Sequence, residues 1–145
     1  MLYEPGERFP IGGSRTLHAR DDDRVALLAA GVTVHECLKA REILAAEGIG
    51  ARIVDLYSVK PLDAEAVAQA AADTGAIVVV EDHHPEGGLG EAVLSALAEC
   101  GAAPTFGHLA VRSMPDSRAP EEQLEAAGIS AAHIVTLARQ VASGR

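Results

Sequence analysis

Apolar residues fall along this chain in two rhythms, one suited to strands and one to helices. Unbroken apolar runs occupy residues 25–30 and 76–80, the second reading Ala76, Ile77, Val78, Val79, Val80. A short β-branched run without alternation predicts a strand covered on both faces, as parallel sheets require. Residues 51–57, with Ile53, Val54 and Leu56, and residues 104–111 predict two further strands, and residues 15–18 a shorter one. Between these runs the apolar positions recur at helical spacing. Thr33 opens a helix with Glu36 three residues on, a capping-box arrangement. Val34, Leu38, the Arg41 stem and Ala45 share one face of it, beside Cys37 and Leu44, and Gly48 stops it. Asp63 caps an alanine-rich helix over residues 64–74 that Gly75 ends, and a third helix covers residues 89–100. Pro120 starts a helix over residues 121–127, Gly128 breaks it, and Ser130 caps a last one to Val141. Strands alternating with helices predict a doubly wound α/β sheet with helices on both faces. The strand order does not follow from periodicity.

The run at residues 76–80 ends abruptly in Glu81, Asp82, His83, His84, Pro85 and Glu86, followed by Gly87, Gly88, Leu89 and Gly90. In open α/β sheets the carboxyl ends of strands are where ligands or partner surfaces sit. Four potential metal ligands stand within five residues there, but adjacent histidines point apart and the spacing matches no metal-site pattern. An interface or capping cluster is the favoured reading. The glycine run could offer backbone N–H groups to an anion. It lacks the G-x-G-x-x-G spacing, however, and Glu86 and Glu91 flank it with negative charge. Glycines in that place are expected to permit close approach of another backbone. His35, in the turn from Gly31 to Glu36, is read as structural, and Arg112 and Arg118, which could bind an anionic group, are read as solvated or paired with Asp116. Neither a nucleophile elbow, nor H-E-x-x-H, nor a Walker pattern occurs. The residues read alone describe an α/β domain with a polar, glycine-rich edge suited to docking, without a catalytic set.

Composition narrows the partners. Against 12 Lys and Arg the chain sets 21 Asp and Glu, a formal net charge of −9. Nucleic acid and anionic membranes are therefore excluded as expected partners, because phosphate neutralisation needs clustered cations. There is no Trp, and only 2 Tyr and 2 Phe, so stacking platforms for bases are not expected. Cys37 and Cys100 form no C-x-x-C and sit in apolar helical patterns, so both are read as small buried side chains. Asp21, Asp22 and Asp23 are read as a solvated turn. With no signal peptide and no long apolar run, a soluble cytoplasmic protein is expected. Residues 1–13 hold Pro5, Gly6, Pro10, Gly12 and Gly13 and are expected to form a linker, leaving residues 14–145 as the domain.

Several linked motifs then resemble one family. AAGVTVHECLKAREIL, ARIVDLYSVKPLD, VVVEDHHPEGGLGEAVLSAL and HLAVRSMPDSRAPEEQLEAAGIS occur in an order similar to the C-terminal domain of transketolase, most like its animal-type branch. YEPGERFPIG resembles the segment that joins that domain to the preceding one. KPLD and GGLGEAV favour this family over 1-deoxyxylulose-5-phosphate synthase and the β subunits of 2-oxo-acid dehydrogenases, which share the fold. The resemblance implies a three-layer α/β/α fold with a five-stranded mixed, mostly parallel sheet, one edge strand antiparallel. It implies membership of an enzyme that transfers a two-carbon ketol unit between sugar phosphates with thiamine diphosphate and Mg²⁺ or Ca²⁺. Neither cofactor is expected to bind this chain alone, because no G-D-G with a downstream Asn is present. The implied partners are the cofactor-binding domains or subunit, in a homodimer or hetero-oligomer, and the implied role is assembly. Gly31, Thr33, His35, Glu81, Asp82, His83, Glu86, Gly87, Gly88 and Gly90 are the interface candidates. One departure stands out: the family pattern has an arginine directly before the apolar–proline pair, whereas Ser113 fills that slot and Arg112 lies one place earlier. The alternative expectation is a stand-alone module that binds a nucleotide or other small ligand at the same crevice.

Overall fold

Both unbroken apolar runs lie side by side at the centre of one sheet. The computed structural model describes residues 2–144. Its strands are β1 (Arg15–His18), β2 (Asp23–Ala29), β3 (Gly50–Asp55), β4 (Ala76–Val80) and β5 (Thr105–Leu109). They are ordered β1-β3-β2-β4-β5, and β1 alone runs antiparallel to its neighbour. Every residue of β4 is buried, and so is all of β2 except Arg24.

The helices are α1 (Val32–Ala46), α2 (Ala64–Thr74), α3 (Leu89–Cys100), α4 (Pro120–Ala126) and α5 (Ala131–Ser143). Alternate strand residues point to opposite faces, and the core divides accordingly. Val25, Leu27, Ala29, Ile53, Val78 and Val80 pack with α1 and α5. Ala26, Leu28, Val54, Ile77 and Val79 pack with α2 and α3. Each fully buried Leu, Ile or Val favours folding by about 1.5–3 kcal/mol relative to exposure, so these two apolar layers dominate the favourable side. The result is a three-layer α/β/α domain with a five-stranded mixed, mostly parallel sheet. Because β2 to β5 are mutually parallel, their carboxyl ends share one edge.

Several local expectations are corrected. Helix α1 begins at Val32 with Gly31 (φ 66°) as its cap residue, and Thr33 and Glu36 form no capping box. The Thr33 hydroxyl instead reaches the carbonyls of Ala30 (3.0 Å) and Val80 (2.9 Å). Glu36, nearly buried, accepts from Lys39 (2.6 Å) and from the backbone N–H of Ala131 (2.9 Å), so it caps α5. Ser130 stands at that helix start without capping it, its hydroxyl taken by Glu125 (2.5 Å) and His133 (2.9 Å). The buried face of α1 is Val34, Cys37, Ala40 and Leu44, while Ala45 is exposed. Cys37 is buried but Cys100 is exposed. Asp23 is not a solvated turn residue: it is 7% exposed and accepts the Arg20 N–H at 2.7 Å. Asp63 does cap α2, accepting from Ala66 N at 3.0 Å.

The amino-terminal segment is packed down rather than loose. Phe9 lies edge-on between Tyr3 (centroids 4.7 Å apart) and Tyr57 (5.0 Å). The Tyr3 hydroxyl donates to Asp55 at 2.5 Å, Arg15 pairs with Glu7 at 2.5 Å, and Gly12 N donates to Ser58 at 2.9 Å. Gly13 must be glycine, since a Cβ there would collide with the Tyr57 hydroxyl. Burial raises the Asp55 carboxyl above its ordinary range, partly countered by the Tyr3 hydrogen bond, and burial likewise raises the Tyr3 phenol.

Candidate functional site

Glu81 follows the last residue of β4, and its backbone N–H still pairs with Leu109 O at 3.0 Å. That places its side chain under the start of α3, at 4% exposure. Oε2 accepts Leu89 N at 2.6 Å, and Oε1 accepts Gly90 N at 3.0 Å. Oε1 also lies 2.6 Å from His108 Nε2, which therefore carries the proton. A buried carboxylate thus fills the place where a helix amino terminus would otherwise meet an anion. It receives three donors, which is what burying a charge demands.

The glycines follow from this arrangement. A Cβ on Gly88 would collide with the Glu81 carboxylate and lie 2.9 Å from His83 Nδ1; one on Gly90 would collide with the His108 ring. Gly87 has φ 70°, open space around it, and an N–H donated to Glu91 at 2.8 Å. The expectation that these glycines admit another backbone is therefore corrected: at Gly88 and Gly90 they admit three side chains of this chain, Glu81, His83 and His108. His83 Nδ1 donates to His84 O at 2.7 Å, and His83 O accepts Val111 N at 2.9 Å, so the loop is stitched to the segment after β5.

In front of this capped helix lies a cleft of about 410 Å³. It brings together Gly31, Glu81, Asp82, His83, Gly87 and Gly88 from the sequence candidates, and adds Ala30, Val32, Val59 and Leu89. Val32 is 44% exposed and Val59 39%. Thr33 and Gly90 lie behind the wall, both buried. His35 and Glu86 are exposed and outside it. Among the described residues no three His, Cys, Asp or Glu side chains converge as a metal-binding group. Arg118 is held by Asp116 at 2.5 and 2.9 Å, which keeps that carboxyl below its usual range.

His108 and Val59 escaped the sequence reading, and Val32 entered it only as part of the turn Gly31 to His35. His108 had one usable signal: a histidine two residues from Phe106 in a mostly apolar strand needs a buried partner. Nothing in the sequence distinguished Val32 or Val59 from core valines.

Fold and site define a three-layer α/β domain in which a buried carboxylate at the sheet edge caps the helix that follows it. The family model for the transketolase C-terminal domain matches residues 14–134. Transketolase-like protein 1 of Bos taurus is 42% identical over 136 residues, covering 93% of this chain and 23% of that protein. Human transketolase is 43% identical over 131 residues, covering 89% of this chain and 21% of the enzyme. Among solved structures, a split-gene transketolase described as an inactive β4 tetramer superposes with TM-score 0.88 at 33% identity, covering 99% of this chain and 45% of that one. Transketolase from Campylobacter jejuni, at TM-score 0.68 and 18% identity over 96% of this chain and 20% of that one, shares the fold. The chain belongs to the transketolase family and forms its C-terminal domain. It spans about a fifth of the length of the curated relatives it matches.

That membership brings thiamine diphosphate and a divalent metal into question, and the residues present do not fit either. The glycine-flanked start of α3 has its N–H donors at Leu89 and Gly90 already taken by Glu81. The acids and imidazoles of the loop do not converge. No step of the chemistry is assigned to this chain.

Proposed function

We propose that this domain serves a transketolase by assembly: it docks its cleft edge onto the cofactor-binding domains and extends their oligomeric contact. The complete enzyme would move a two-carbon ketol unit between sugar phosphates with thiamine diphosphate and Mg²⁺ or Ca²⁺ held by those other domains. The observation that carries this reading is the self-capped α3. With Glu81 seated on its amino terminus, the Leu89 and Gly90 N–H donors of α3 are taken, while Val32 and Val59 remain exposed beside it. That capping removes the α3 anchor for a nucleotide or phosphate, which weighs against a stand-alone regulatory module. The split-gene relative described as an inactive tetramer agrees with a chain that assembles without catalysing.

The test combines the purified chain with thiamine-diphosphate-binding transketolase domains and measures association and ketol transfer. Stable association buries about 1,200–2,000 Å² in all. Val32→Asp puts a charge in the cleft, and its acid suits a helix amino terminus, so the fold is expected to survive. An increase in Kd of about tenfold or more supports docking at the cleft. Unchanged affinity and ketol transfer with both Val32→Asp and Val59→Asp overturns it.

A further inference from the structure

The amino-terminal segment carries a feature that cleft docking does not use. Residues 10–13 form a turn closed by Gly13 N to Pro10 O at 3.0 Å, with φ 83° at Gly12. A positive φ at the third residue defines a type II turn and calls for glycine. Its second residue is Ile11, 87% exposed. The turn does not float. Gly12 N is held by Ser58 Oγ, which itself donates to Pro61 O at 2.7 Å, and Ser14 Oγ donates to Asp63 at 2.8 Å. On the other side, the Tyr3–Phe9–Tyr57 stack and the Tyr3–Asp55 bond pin the segment to the carboxyl end of β3. An isoleucine held almost wholly in water on so well-tied a turn gains nothing for this domain alone.

We infer that the Pro10–Gly13 turn is a second docking element, with Ile11 as an apolar knob that seats in a socket on the cofactor-binding domains of the same enzyme. Three observations select that occupant. The turn lies on the same carboxyl edge of the sheet as the cleft, linked to it through Ser58 and Val59. Phe9 (42%), next to the turn, and Val59 (39%), at the cleft, are exposed apolar side chains as well. Relatives that match this chain carry about four-fifths of their length beyond the matched region, so a large partner body exists for the edge to meet. The matched family region begins at residue 14 and leaves the turn outside it. The inference rests on the docking role proposed above.

The experiment uses the chain mixed with the cofactor-binding domains. Ile11→Asp should fold normally, since the side chain touches solvent, and should raise Kd about tenfold. In the wild-type mixture, the Ile11 methyl signals should become shielded from a soluble paramagnetic probe. If Val32→Asp weakens association while Ile11→Asp does not, or the Ile11 methyls stay as accessible as in the free chain, the knob is refuted and cleft docking stands. If neither substitution weakens association, the docking role itself is refuted and the knob with it.

Discussion

Replacing Glu81 by Gln changes one atom and tests the central claim about this edge. The carboxylate presents Oε2 to Leu89 N at 2.6 Å and Oε1 to both Gly90 N and His108 Nε2. An amide offers one acceptor. If its oxygen stays with Gly90 and His108, its NH₂ faces the Leu89 N–H. If it flips, the oxygen serves Leu89 and the NH₂ faces the Gly90 N–H, with His108 free to change tautomer. Either way one buried backbone donor of α3 opposes another donor. Leaving a buried donor unsatisfied costs about 1–3 kcal/mol. Losing a negative charge from a helix amino terminus adds roughly 0.3–1 kcal/mol, and more in a partly buried setting. The expected loss is therefore about 2–4 kcal/mol for Glu81→Gln. For Glu81→Ala, which strips all three contacts and leaves a void, it is about 3–5 kcal/mol. At a few degrees per kcal/mol in a chain of this size, Tm should fall roughly 5–12 °C for the amide. Urea unfolding followed by circular dichroism gives the free energies, and hydrogen exchange gives the location. The amides of Leu89 and Gly90 should lose protection before those of β4. A Glu81→Gln protein within about 0.5 kcal/mol of wild type, the range of ordinary surface substitutions, would refute the cap.

Other expectations follow from neighbouring geometry. Gly→Ala inside a helix ordinarily stabilises by about 0.5–1 kcal/mol, but Gly90→Ala should destabilise because its Cβ meets the His108 ring. Thermal unfolding should show much of that loss recovered in a His108→Ala background, and an additive pair would contradict the contact. Native-state titration with a thiol reagent should modify Cys100 rapidly and Cys37 only on unfolding, since Cys37 is buried and its thiol pushed up by that burial. Equal rates would count against the packing of α1. The Asp55 carboxyl lies above its ordinary value in the fold, so the folded state binds this proton more tightly than the unfolded one. Its contribution to stability is complete below the unfolded pKa, about 4, and is lost as pH rises through the folded value. Tyr3→Phe removes the hydrogen bond that holds the Asp55 pKa down, so carboxyl titration by NMR should show that pKa rise further; a fall would reverse the assignment.

What the sequence disclosed depended on how local each signal was. The buried runs at β2 and β4 and the helices α2 and α3 needed only periodicity and punctuation, and α2 and α3 end at the residues expected. Asp63 was legible as a cap because it bonds three residues away. Thr33 and Glu36 were misread for the opposite reason. Their pattern matches a local capping box, yet besides near neighbours each bonds a group 47 or 95 residues distant, at Val80 and Ala131. Cys100 and Ala45 occupy apolar patterns at helix margins, where one residue of drift in register turns a side chain outward. At the candidate site the strand end and the glycine run were visible, but the role of Gly88 and Gly90 was not. That role depends on Glu81 and His108, which stand 27 residues apart. The packed amino-terminal segment was hidden by its own composition, since proline and glycine mark ordered turns as well as linkers.

Two buried acids, one misread from the sequence and one expected in a capping or interface cluster, share a principle that bears on the docking proposed above. Glu36 lies in α1 and caps α5; Glu81 follows β4 and caps α3. Each is almost fully buried, and each satisfies donors that would otherwise remain exposed to a ligand. A helix amino terminus at a sheet edge attracts anions because its first N–H groups lack partners. Supplying a carboxylate from within the chain ties the helix to the sheet and cancels that attraction in the same step. The edge that results has the starts of α3 and α5 tied down by these acids, and its surface contrast comes from what is left over. Those residues are Val32, Val59, Phe9 and Ile11, apolar side chains on backbone that cannot easily retract them. Rigid, preorganised apolar groups reduce the ordering cost of association. An edge that docks as proposed above needs that property more than it needs a pocket.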